Sequence, residues 1–245
     1  MGTAPTDDRL SRYPPVRLSD CLAVFLSDCL TPMPLPSHDV RTRDRARIPP
    51  GQTRTAKWPV LHYGNVPAVD LASWRFEIGG LVEKPQSWSF DELMALPQED
   101  TLCDIHCVTR WSRLDNRFTG VPVRTLLQMV KPAPDAAFVL VHAEQGFTTN
   151  LPLADLDRPG NLLAAYHDGR PLTPDHGWPL RLVVPHLYFW KSAKWVRGFE
   201  FLPEDEPGFW ERNGYHMRGD PWEEERYSGF DVQQWMINRF RNASK

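Results

Sequence analysis

The rhythm of apolar and polar positions changes several times along this chain, and each change marks an element. "WRFEIGG" (74–80) alternates like a strand running into a glycine turn, and "AFVLVHA" (137–143) reads as a buried strand. Between them, Ser89 followed three residues later by Glu92 forms a capping-box pattern ahead of "ELMAL", which predicts a short helix ending at Pro97. "VPVRTLLQMV" (121–130) has helical spacing, with Pro122 suited to a first turn. The "DG" at 168–169, between "LLAAY" and "RPLTP", is a hairpin signal. "PLRLVVP" and "KWVRGFEFL" complete the set as two more strands. Strands outnumber helices without regular βαβ alternation, so the expected class is α+β, a mixed, strand-rich single domain.

The rhythm also suggests boundaries. Before residue 49 the chain is proline-rich and aperiodic ("YPPVRLSD", "TPMPLPSHD"), which predicts an extended or poorly ordered arm over 1–48. "RTRDRARIPP" (41–50) reads as its solvated, arginine-rich end. The main domain is expected over 49–206. Residues 207–245 form an aromatic and charged tail, "GFWERNGYHMRGDPWEEERY" and beyond, expected to wrap over the core as loop.

Composition narrows the function classes. The 245 residues are 41% hydrophobic and 24% charged, ordinary for a soluble globular protein, and the formal net charge of −3 argues against a nucleic-acid partner. The apolar run "CLAVFL" (21–26) is too short for a secretion signal or a membrane span, so the expectation is a cytoplasmic protein without a membrane partner. Four cysteines, Cys21, Cys29, Cys103 and Cys107, are too few for a disulfide framework at this length.

The chemistry-bearing stretch is "DIHCVTRWSRLDNR" (104–117). If "TLCDIHC" is a strand, alternation sends His106 and Cys107 to opposite faces, which weakens a zinc site and leaves Cys107 without a base. Cys107 then reads as a buried small side chain, a nucleophile near Arg110, or a soft ligand for a transition metal carried by an anionic cofactor. After it, a polar loop is expected to carry Trp111 and the arginines, with Arg113 or Arg117 free to pair with Asp115. A second stretch, 171–201, offers His176 and Gly177 in a turn, Arg181 in a strand, and "KSAK" (191–194), whose lysines and backbone N–H groups suit a phosphate.

Taken together, "HCVTRWS", "PLTPDHGWPLRLVVP" and "YFWKSAKWV" resemble the cysteine loop, the "NGxPxRLxVP" strand and the "YGxKxxKW" loop of the sulfite-oxidase-fold molybdopterin enzymes, over roughly residues 50–202. Within that family the chain is most similar to small bacterial sulfite oxidase-like proteins. It resembles the catalytic subunit of the bacterial periplasmic methionine sulfoxide reductase in showing no cytochrome b5-like or dimerisation domain. The resemblance implies a molybdenum–molybdopterin cofactor, with Cys107 as the protein ligand to molybdenum. It also implies pterin contacts from Leu61, His62, Ala143, His176, Arg181, Ser192, Ala193 and Lys194. His176 stands where relatives often carry Asn, and Cys103 has no counterpart and reads as packing.

The implied reaction is two-electron oxygen-atom transfer on a small-molecule substrate, with electrons exchanged through a separate partner. Arg110 favours a small sulfur oxyanion such as sulfite, because a dianion needs a cationic pocket. The alternatives are a sulfoxide reductase on the same fold and a non-catalytic cofactor-binding module.

Overall fold

In the computed structural model, residues 44–228 are described; the predicted arm over 1–43 and the end of the tail, 229–245, lie outside them. The strands are β1 (Thr53–Arg54), β2 (Phe76–Gly80), β3 (Gln86–Trp88), β4 (Glu99–His106), β5 (Trp111–Pro122), β6 (Phe138–Ala143), β7 (Thr148–Pro152), β8 (Leu162–His167), β9 (Arg170–Pro171), β10 (Arg181–Val183) and β11 (Val196–Leu202). The α-helices are α1 (Phe90–Met94), α2 (Val123–Val130), α3 (Leu153–Leu156) and α4 (Phe209–Arg212). Two sheets result. One has the order β3-β2-β11-β6-β7; in the other, β1-β5-β8-β10 form a path on which β4 also pairs β5 and β9 pairs β8. Both sheets mix parallel and antiparallel pairs, as the α+β expectation requires.

Local signals explain most elements. Ser89 caps α1 through its side chain, and the Glu92 carboxylate accepts from the Ser89 N–H at 2.8 Å, the reciprocal capping box. The predicted hairpin at 168–169 joins β8 to β9, with Asp168 and Gly169 both at positive φ. Pro122 ends β5 and precedes α2, so it caps the helix from outside instead of occupying its first turn.

The main correction concerns residues after Cys107. The expected polar loop is a three-residue turn, Val108–Arg110, followed by the twelve-residue strand β5. Ser112, Leu114, Asn116, Phe118 and Gly120 are buried at every second position, polar residues among them, and Val121 and Pro122 extend the burial at the strand's end. Asp115 forms a bulge at φ 58 and is paired by Arg47 at 2.6 Å, not by Arg113 or Arg117. Arg47 also bonds Asp104 at 2.8 Å and 2.5 Å, so this arginine of the expected solvated arm packs on the β4–β5 edge.

One hydrophobic core takes side chains from both sheets and from α1, α2 and α3, including Phe76, Leu126, Val139, Leu163, Leu182 and Phe199. Strand alternation then decides what the other face of the larger sheet presents. In β8, Leu163 and Ala165 join that core while Leu162 and Ala164 face away; in β10, Leu182 joins it while Val183 faces away, with Arg181 sharing Val183's side. This second face carries a smaller cluster of Ile105, Phe118 and Val183 against Trp58, Trp111 and Phe189, and beside it Cys107 packs with Val108 and Tyr188. No helix among the described residues is long and apolar enough to cross a membrane.

Candidate active site

A cavity of about 490 Å³ opens on this second face, within the ordinary size range of small-molecule and cofactor sites. Cys107 lies in its wall, at the end of β4, where the chain reverses. The Cys107 N–H donates to the Trp111 carbonyl at 2.9 Å, and Arg110 closes the turn at φ 72 by donating to the Cys107 carbonyl at 3.0 Å. His106, one residue earlier, goes elsewhere: it is 5% exposed, its Nδ1 meets Ser112 Oγ at 2.8 Å, and burial holds it near pKa 4. The two side chains therefore do not form a pair.

Of the residues implied by the resemblance, Leu61, His62, Cys107, Arg181, Ser192, Ala193 and Lys194 line this one cavity. Three do not. Ala143 is buried one step behind it, at the end of β6, and the next residues, Glu144, Gln145 and Gly146, form the wall instead. His176 stands behind Trp58, with ring centroids 4.0 Å apart and Nε2 3.3 Å from the Trp58 carbonyl oxygen, so it supports a wall residue. Arg110 is exposed, its guanidinium lies by Gly51, and it is not among the residues that line the cavity.

Arg181 is 1% exposed. Its Nη1 donates to the His176 carbonyl at 2.9 Å, its Nη2 to the Ser192 carbonyl at 2.8 Å, and its guanidinium lies 4.3 Å from the Phe189 ring centre. Its hydrogen-bond partners are neutral carbonyls, and burial pushes it down to about 9. Lys194 donates to the Asp175 carbonyl at 2.6 Å, and burial, with Arg181 adding repulsion, pushes it down to about 7. Lys191 of "KSAK" departs from the phosphate reading. Its ammonium is fully buried away from the cavity and bonds Asn150, the Met217 carbonyl and Glu211, the last at 2.6 Å.

These features fit an anionic cofactor carrying a metal. Two cations, the buried Arg181 and the half-buried Lys194, line the cavity without carboxylate salt-bridge partners, and two buried donors of cavity-lining residues, Arg181 Nε and Trp111 Nε1, have no protein acceptor. Among the described residues no three His, Cys, Asp or Glu side chains converge, so these residues provide no complete metal site by themselves. A metal here needs ligands brought by a cofactor, with Cys107 as the soft protein donor within reach.

Sequence reasoning missed most of the wall. Trp58, Tyr63, Phe147, Trp190, Phe209, Trp210 and Tyr215 all line the cavity. The aromatic density of "GFWERNGY" was the available signal, and it read as core cover. Phe209, Trp210 and Tyr215 belong to the tail, which is thus part of the cavity.

A mixed two-sheet fold with a cysteine turn and two cations on one cavity defines the class of sulfite-oxidase-type molybdopterin oxidoreductases. Residues 63–210 match the family model "Oxidoreductase molybdopterin binding domain", and the chain belongs to that family. It is an oxidoreductase whose cofactor is molybdenum–molybdopterin. It is 52% identical over 183 residues to the "Uncharacterized oxidoreductase YuiH" of Bacillus subtilis, covering 74% of this chain and 92% of that one. It is 34% identical over 178 residues to the "Putative protein-methionine-sulfoxide reductase subunit YedZ1" of Azospira oryzae, covering 71% and 67%. The catalytic subunit MsrP of a protein-methionine-sulfoxide reductase from Campylobacter jejuni is 30% identical over 156 residues, 57% of this chain and 52% of that one. Among solved structures, the sulfane dehydrogenase SoxCD from Paracoccus pantotrophus shares the fold at a TM-score of 0.55 and 22% identity, over 62% of this chain and 43% of that one.

Proposed function

We propose that this oxidoreductase transfers an oxygen atom between its molybdenum and a small neutral S-oxide, working as a sulfoxide reductase, with Cys107 as the protein ligand to the metal. The observation that carries this reading is the cavity wall. Around Cys107 it is aromatic, from Trp111, Trp190, Trp210 and Tyr215, and Arg110, which would favour sulfite, is not among its lining residues. The cations that do line the cavity, buried Arg181 and half-buried Lys194, match the positions that hold the pterin and its phosphate in the family, and so are committed to the cofactor. A sulfite dianion finds little left to pair with, whereas a sulfoxide needs apolar surface and a modest dipole partner. Two relatives named as sulfoxide reductase proteins support the same substrate class.

When bound, the cofactor supplies a metal centre that cycles by two electrons and exchanges an oxygen atom with substrate. The chain's own residues do the rest. Cys107 offers its sulfur from a rigid turn, Arg181 and Lys194 neutralise anionic charge, and the aromatic walls orient an apolar molecule and exclude water. Electrons come from a separate redox protein or soluble carrier; the word "subunit" in the relatives' names agrees with this.

The test is a paired assay on protein from molybdate-replete expression. A reduced dye should be oxidised on addition of methionine sulfoxide or dimethyl sulfoxide, while sulfite should reduce an acceptor poorly. Arg110→Met should leave sulfoxide turnover within about twofold, the effect of an ordinary surface change. Efficient sulfite oxidation that collapses in Arg110→Met would return the assignment to a sulfur oxyanion. Inactivity on both at full metal content would point to a binding module.

A further inference from the structure

The sulfur of Cys107 and the hydroxyl oxygen of Thr109 lie 3.1 Å apart. As a metal ligand the sulfur is a thiolate with no proton to give, so the hydroxyl is the donor. The turn that sets this distance is held from several directions. Gln52 donates its side-chain amide to the Cys107 carbonyl at 3.0 Å, and Arg226 donates to the Val108 carbonyl at 2.6 Å. Arg226 is 5% exposed, lies 5.0 Å from the Tyr188 ring centre, and comes from beyond the 63–210 family match. Thr109 itself is exposed and lines the cavity, and among the described residues the Cys107 sulfur is its hydroxyl's partner.

We propose that Thr109 is a positioning residue for the reaction: its hydroxyl donates to the ligating Cys107 sulfur and weakens that sulfur's donation to the metal, with Arg226 holding the turn that keeps the two together. The proposal rests on Cys107 being the ligand and is independent of the substrate. A hydrogen bond to a ligating sulfur withdraws electron density and stabilises the reduced metal, which raises the reduction potential.

The test compares Thr109→Val, which keeps shape without a hydroxyl, with Thr109→Ser, which restores it. Molybdenum content is measured first, then the reduction potential by spectroscopically monitored redox titration without substrate. Expected are near-normal metal content in both, a more negative potential in Thr109→Val, and a wild-type potential in Thr109→Ser. Metal loss in Thr109→Val alone also supports the role, because it shows that the hydroxyl holds the sulfur for the metal. An unchanged potential in Thr109→Val overturns the proposal. So does an equal change, or equal metal loss, in both variants, since the hydroxyl would then not be the cause. Sulfoxide turnover is assayed separately, so a wrong substrate assignment leaves this result intact.

Discussion

Cys107 and Cys103 sit four residues apart, the first buried and the second partly buried, and of the two only Cys107 lines the cavity. Burial pushes the Cys103 thiol up to about 12, and it packs beside Phe118 and Ile105, an inert core position. Burial also raises Cys107, but Thr109 and Arg226 act against that rise, and its sulfur lines the cavity. Cys107→Ala should therefore keep the fold, at a cost of about 1 kcal/mol, and lose turnover to background. Thermal denaturation and the sulfoxide assay check both halves; turnover at the wild-type level would remove Cys107 from the site. Lys194 gives a pH prediction. Its folded pKa of about 7 lies below the unfolded value, so the cofactor-free protein bears the full cost of burying the ammonium below pH 7. Between about pH 7 and 10 the unfolded chain binds the extra proton, so stability should rise with pH there, and Lys194→Met should flatten the rise. Melting temperatures of cofactor-free protein across that window measure the slope. Bound anion should reduce it, by keeping Lys194 charged in the folded state.

At the scale of elements, β5 is the instructive failure. Its buried positions include Ser112 and Asn116, both fully buried, so a period-two strand has no period-two hydrophobic signal. Those polar residues are satisfied by tertiary partners that the linear sequence does not reveal: Ser112 meets His106, and Asn116 is bonded by Arg113 and donates to the Cys103 carbonyl. The strands that were legible, β2, β6 and β11, bury Phe76, Val139 and Phe199 against apolar neighbours. The capping box was legible because its partners lie three residues apart. Gly120 marks where β5 meets β8: a Cβ there would fall 2.1 Å from the Leu163 carbonyl oxygen. Gly120→Ala should cost about 1–3 kcal/mol by forcing these strands apart, measured by urea denaturation, and an unchanged midpoint would contradict the close approach.

For the molecule as a whole, the tail after Pro207 is bound to the cofactor loop by a buried ion pair. Lys191 and Glu211 have no exposed side-chain surface, and Glu211 also accepts from Trp190 Nε1 at 2.9 Å and Thr149 Oγ1 at 3.1 Å. The Tyr188 N–H donates to the Gly219 carbonyl at 2.7 Å, a second tie between loop and tail. Glu211→Ala would leave the Lys191 ammonium buried without its countercharge, at a cost of about 3–5 kcal/mol. Limited proteolysis should then cut the tail faster and metal content should fall; wild-type resistance would show the pair to be dispensable.

What the sequence determined by itself is local or motif-borne: the α1 cap, the 168–169 turn, the alternating apolar strands, and the cysteine, arginine and lysine motifs that mark the family. Those signals survive in one dimension because their partners are near in sequence or their residue types are rare at that spacing. The tertiary structure decided which motif residues meet. It left Arg110 out of the cavity lining, sent Lys191 to Glu211, put His176 behind Trp58, and brought Phe209, Trp210 and Tyr215 from the tail into the wall. Each depends on contacts between segments tens of residues apart, where side-chain direction is set by packing and charge pairing in three dimensions and leaves no periodic trace along the chain.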